Sequence, residues 1–214
     1  MLSPKDEVAL HEAKYLSTPD YRLYDKVNEF EEMFDDMLFK KGTRSYELTL
    51  EKTTGEDGEE CVRATSPCEE LEYFSIEDFN YEAAELEGCD GYYDRQNETL
   101  VVSLNELEND STVLHEMIHL YESFINDLSW SYHDMLIWAL YQDLREKIPA
   151  LDEIVNHHSH QLTQANLESA GGNHDLLFLL KSFDLDIRMD YPLGTVFAYG
   201  RQDLFKGYSY KKAE

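Results

Sequence analysis

One stretch of this sequence combines residue types that can do chemistry at a spacing that lets them act together: Val113-Leu114-His115-Glu116-Met117-Ile118-His119-Leu120-Tyr121-Glu122. It contains the pattern HExxH. In a helix, side chains four residues apart lie on one face, one turn from each other. Two imidazoles so placed can reach one Zn²⁺ at about 2.0–2.1 Å. The glutamate after the first histidine can then act as general base on a metal-activated water and pass the proton to a leaving amine. His115 and His119 are therefore expected as metal ligands and Glu116 as the catalytic base. The expected activity is zinc-dependent hydrolysis of peptide bonds, as an endopeptidase. Five letters are a weak motif alone, but their surroundings strengthen it. Val113, Leu114, Met117, Ile118, Leu120, Phe124 and Ile125 make the helix apolar nearly all round, so it should be buried. Buried histidines and carboxylates need partners, and a shared metal ion supplies one.

A catalytic zinc site takes a third protein ligand and keeps one position open. Glu122 lies on the same face, but one straight helix spans about 10 Å over seven residues. It is therefore expected as a hydrogen-bond partner of the ligands rather than as a ligand. His133 stands fourteen residues past His119, at the start of the next helical pattern, and a short antiparallel return would bring it over the first helix. It is the expected third ligand. His174 and Glu168 are alternatives. His133-Asp134 and His174-Asp175 both open helical patterns, where acids interact well with the helix dipole; for His174 that reading is preferred. The tract His157-His158-Ser159-His160 reads as solvent-exposed. The oxyanion-stabilising group is not selected, with the many tyrosines and Arg201 as options.

Several elements must position these residues. Leu23, Val27, Phe30, Phe34, Met37 and Leu38 recur at helical spacing over about 20–39, with acids between them. Tyr46–Leu50 alternates as a strand, Gly55-Glu56-Asp57-Gly58 reads as a turn, and 61–65 as its hairpin partner. Residues 66–90 are acidic and irregular. Gly91-Tyr92-Tyr93 and Thr99–Leu104 read as strands flanking the polar turn 94–97. Then come a helix from about Asp110, Ser111 or Thr112 to about Asn126, a second over 133–147 ahead of Pro149, and a third over 174–185 behind Gly171-Gly172. The segment 128–132 reads as an interhelical turn. The stretch from Tyr191 onward has no clear assignment. The expected fold is α+β in one domain over 1–214: an N-terminal helical region (1–40), a sheet region (44–104) packed on the HExxH helix, and a mostly helical metal-site region (110–186).

Lys and Arg number 18 against 45 Asp and Glu, a formal net charge of −27 over 214 residues. Such a field repels phosphate backbones and anionic membranes, so nucleic acid and membranes are not expected partners. No apolar run approaches the ~20 residues of a membrane span. Three irregularly spaced cysteines, Cys61, Cys68 and Cys89, suit a reduced cytoplasmic protein better than a disulfide framework.

Gly91-Tyr92-Tyr93, Leu100-Val101-Val102-Ser103-Leu104, the 115–119 motif and a histidine on the following helix resemble the protease core of SprT-like zincins. The likeness covers about residues 91–145. It implies a zincin-like fold with one Zn²⁺ held by His115, His119 and His133, and Glu116 as base. It also implies a peptide bound in extended form along the strand with Leu100, Val101, Val102 and Ser103. Asp134 stands where that family usually has glycine, and no four-cysteine zinc ribbon follows. The metzincin pattern fails, because Glu122 and Ile125 occupy its glycine and third histidine. Two other classes compete: a zincin-fold binding protein without turnover, and a non-haem iron site formed by His115, His119 and a carboxylate such as Glu122 or Glu168.

Overall fold

The computed structural model describes residues 18–34, 49–54, 60–65, 74–127, 130–157, 174–198 and 205–212. The chain opens with α1 (Pro19–Phe30), whose proline at the first helical positions needs no N–H partner there. Leu23, Val27 and Phe30 bury one face, and a single 3₁₀ turn, Glu31–Phe34, adds buried Phe34 to it. Met37 and Leu38 lie outside the described residues. Strands β1 (Thr49–Thr54) and β2 (Glu60–Thr65) pair antiparallel; the strand expected over 46–50 overlaps β1 at 49–50, and 46–48 lie outside the described residues. The turn between them lies outside the described residues.

A second sheet sits under the site. It has three strands in the order β3 (Asn80–Ala84), β5 (Thr99–Ser103), β4 (Gly91–Asp94). β3 runs parallel to β5 and β4 antiparallel to it. β3 arises from the stretch read as irregular. Its alternation is real, with Tyr81 and Ala83 half-buried between exposed Asn80 and Glu82, but it contains no β-branched residue to signal it.

β5 is the central strand, and its last four residues are buried. This corrects the expectation that Leu100, Val101, Val102 and Ser103 pair with a peptide. Both hydrogen-bonding edges of β5 are taken, one by β3 and one by β4. The outer edge of β3 lies beside α1, where the Asp20 carboxylate accepts the Ala83 N–H at 2.9 Å. On β4 no partner strand covers the outer edge among the described residues. The Asp90 carbonyl accepts the Ser103 N–H. Asp90, Tyr92 and Asp94 therefore turn their backbone groups toward β5, and Gly91 and Tyr93 turn theirs outward.

Helix α2 (Asp110–Asp127) carries the HExxH pattern and lies at the centre of the molecule. Val113, Leu114, Met117, Ile118, Leu120, Tyr121 and Ile125 are all fully buried, as an all-round apolar helix requires. α1 and the three-stranded sheet pack against it, and α4 (Leu176–Arg188) packs on it as well. α3 (Trp130–Lys147) begins three residues earlier than expected, so Trp130–Tyr132 are helical and not a turn. It packs chiefly on α4 and only lightly on α2. Residues 151–157 are also helical. The segment 205–212 closes over the ends of α3 and α4. Phe205 inserts into the core, and the Lys211 N–H and ammonium bond the last carbonyls of α3. Among the described residues no helix is long and apolar enough to cross a membrane.

Candidate metal centre

α2 presents His115 and His119 one turn apart, with ring centroids separated by 5.4 Å. The third histidine beside them is His174. It lies two residues before α4, with its ring 4.9 Å from that of His115 and stacked 5.2 Å from that of His119. One nitrogen from each of the three rings can be chosen so that all lie within 4.8 Å of one another. The Phe178 ring stands 4.7 Å from His115, 4.7 Å from His119 and 4.3 Å from His174, so it covers one side of the triangle.

Two of the three rings are aimed by their other nitrogen. His115 Nδ1 lies 2.9 Å from the Val196 carbonyl oxygen, which can only accept, so Nδ1 carries the proton and Nε2 keeps its lone pair. His119 Nδ1 lies 3.1 Å from Glu122 Oε2, and the two share a hydrogen bond. Outer partners of this kind fix tautomer and ring orientation in histidine metal sites. Glu122 is thus a hydrogen-bond partner of His119. Burial first, and the adjacent Asp175 carboxylate second, push the Glu122 carboxyl well above its usual range.

Burial is the leading cause holding all three imidazoles below their ordinary pKa. His115 is pushed well down, His119 is lowered, and His174 falls to about 4. Neutral imidazoles are the form that binds a metal. A trio of neutral nitrogen donors, one buried and two partly buried, fits a tetrahedral ion such as zinc with one position left over.

His133 stands elsewhere. Its Nε2 lies 3.6 Å from Asp175 Oδ2, and pairing with that carboxylate raises its pKa. It is absent from the group of ligand atoms that can share one ion, and this corrects the expected third ligand. The reason lies in helix packing: α3 leans chiefly on α4 and only lightly on α2, so the first turn of α3 meets the N-terminus of α4. There Asp175 caps α4 by accepting the Phe178 N–H at 3.0 Å. The helix-start reading of His174-Asp175 is thus correct for Asp175, and His174 is a candidate ligand in addition. Glu168, Arg201, His158 and His160 lie outside the described residues; His157 is exposed.

Glu116 is buried and lies against the backbone of β4. A Cβ built on Gly91 would stand 2.8 Å from Glu116 Cγ, 3.0 Å from its Cδ and 3.0 Å from the Val101 carbonyl oxygen. Glycine at 91 is what lets this side chain approach the strand. The sequence reading also missed the turn 191–198, which supplies the Val196 carbonyl and the Phe197 ring beside His174. No spacing signal joins that turn to the HExxH pattern 81 residues away.

Compared with known proteins, the chain matches no family model, no curated protein and no solved structure.

Proposed function

We propose that this protein is a mononuclear zinc hydrolase that cleaves peptide bonds as an endopeptidase. One observation carries the reading: three histidines, His115 buried and His119 and His174 partly buried, with ligand atoms within 4.8 Å of each other, two of them from an HExxH helix. Zinc in that cage would act as a Lewis acid on a carbonyl and lower the pKa of water toward about 7. His115, His119 and His174 would hold it, with Val196 and Glu122 keeping two of the rings aimed. Glu116 would take the proton of the attacking water and deliver it to the leaving amine. The peptide would lie extended along the outer edge of β4, paired with the backbone of Gly91 and Tyr93, because Gly91 of that strand lies against the Glu116 side chain. This moves the substrate strand from β5 to β4 while keeping the zincin-like logic of a sheet edge beside the metal helix. The third ligand near α4 departs from the spacing that the SprT-like resemblance implies. We regard the chain as zincin-like, without narrower assignment. Protein or peptide is the proposed partner and the cytoplasm the proposed location. Nucleic acid is not expected against a net charge of −27.

The iron alternative needs two histidines and a carboxylate facing one ion; here a third imidazole fills that place. The test is metal analysis of untagged protein, with digestion of an unfolded protein before and after chelation. One zinc per chain, with cleavage lost on chelation and restored by zinc, is the expected result. Glu116→Gln should keep the metal and cut hydrolysis by about 10²–10⁴-fold, the usual worth of a general base. Bound zinc with no cleavage by the unmodified chain would instead favour a binding protein that keeps the site without turnover.

A further inference from the structure

Asp186 is a fully buried carboxylate on α4, twelve residues beyond His174. Among the described residues its two oxygens meet backbone N–H groups and no cation. Oδ2 accepts the Gly194 N–H at 2.6 Å, and Oδ1 accepts the Val196 N–H at 2.9 Å. Both donors belong to the turn that follows α4. Gly194 takes φ +88°, and a Cβ there would strike the Phe205 ring, so the turn is held from both sides. The residue whose N–H is captured, Val196, is the one whose carbonyl accepts from His115 Nδ1 at 2.9 Å. Phe197, next in sequence, packs its ring 5.6 Å from that of His174. Desolvation pushes the Asp186 carboxyl up to about 7 against the pull of the turn's N–H groups. A carboxylate kept in that setting is explained by what it holds.

We propose that Asp186 is a positioning residue for the metal centre: by gripping the Gly194 and Val196 amides it places the Val196 carbonyl, and through it fixes the tautomer and aim of His115. One helix thus contributes to the site twice, with His174 ahead of its N-terminus and this clamp near its C-terminal end. An asparagine at 186 keeps one acceptor but turns an NH₂ toward an N–H donor, so one arm of the grip must open. Loss of such an outer partner costs about 10–100-fold in metal affinity.

The inference rests on reading the site as a metal centre, and the test separates the two. In metal-free protein labelled with ¹⁵N-histidine, His115 of the unmodified chain should show a single Nδ1–H tautomer with a slowly exchanging ring proton. Asp186→Asn should give a tautomer mixture and fast exchange. Asp184→Asn is the control: Asp184 is equally buried on the same helix, but pairs with Lys181 and Arg188. It should lower stability while leaving the His115 signal intact. In zinc titrations Asp186→Asn should bind about 10–100-fold more weakly and Asp184→Asn within about twofold of the unmodified chain. A folded Asp186→Asn with the original tautomer and zinc affinity overturns the proposal. If the unmodified chain takes up no zinc, the metal reading falls, and the tautomer comparison alone decides the role of Asp186. If Asp186→Asn does not fold, amide exchange in the unmodified chain decides. Zinc loading should slow exchange at Gly194 and Val196 beyond its effect at Asn80 and Leu104 in the sheet, and equal slowing would refute the coupling.

Discussion

Gly91 of β4 and Glu116 of α2 touch where the sheet meets the metal-site helix, and the missing side chain at Gly91 is the space in which the Glu116 carboxyl-bearing chain lies. Close approach of helix to strand and placement of Glu116, the proposed base, are therefore one packing event. Alanine at 91 would put a methyl 2.8 Å from Glu116 Cγ and 3.0 Å from the Val101 carbonyl. Either the strand or the glutamate must move.

Gly91→Ala is therefore expected to cost about 1–3 kcal/mol of stability through overpacking. It should also lower hydrolysis on the order of 10²-fold, the effect of a displacement near 1 Å in a reacting group. Zinc should remain bound, because no ligand is moved. Chemical denaturation, zinc titration and a peptide cleavage assay on one preparation give all three quantities. Full activity in a folded Gly91→Ala would remove Glu116 from the proposed chemistry.

His174 and His133 both precede an aspartate near a helix start, and the fold assigns them different places. His174→Ala should lose zinc affinity sharply and lose cleavage with it. His133→Ala should still bind one zinc per chain, since it meets Asp175 and not the trio of ligand nitrogens. Competition with a chromophoric chelator measures both. The reverse result would return the site to the spacing of the SprT-like core.

A peptide paired to the outer edge of β4 would use its own amides alternately, one pointing to Gly91 or Tyr93 and the next away. N-methylation of a substrate should then raise KM at every second position and leave the intervening positions near unchanged. A flat scan across the scissile region would argue that the substrate does not extend that edge.

The metal-free protein should lose stability as pH falls from about 6.5 toward 4, in part through His174. Burial lowers its pKa to about 4 in the folded chain, against an unfolded value of about 6.5. Between these values the unfolded chain binds more protons, so stability rises with pH across the window, by up to about 3 kcal/mol. Asp186 acts with the opposite sign: its folded pKa of about 7 exceeds the unfolded ~3.9, so its contribution is lost as pH rises through that range. His174→Gln retains Asp186, so the difference between the two urea-denaturation profiles isolates the histidine. That difference should grow in favour of the unmodified chain from pH 4 to 6.5. A constant difference would mean that His174 is not held neutral by burial.

The sequence by itself determined the local pieces. HExxH within an apolar run led to a buried helix with His115 and His119 on one face. Alternation led to β1, β2, β4 and β5, and periodicity to α1, α3 and α4 with boundaries a few residues off. Each of those signals comes from contacts between near neighbours in the chain. What the tertiary structure decided was everything that depends on which elements lean on which. β5 became the central strand because a weakly patterned acidic stretch supplied β3 on its far side. His174 joined α2 and His133 did not, because α3 packs on α4. The Val196 carbonyl reached His115 across 81 residues, through a turn whose anchor, Asp186, looks in sequence like any acid on a helix. Residue spacing encodes the face of an element but not its partner. Partner choice is made by burial summed over the whole core, and for this site it selected the third histidine.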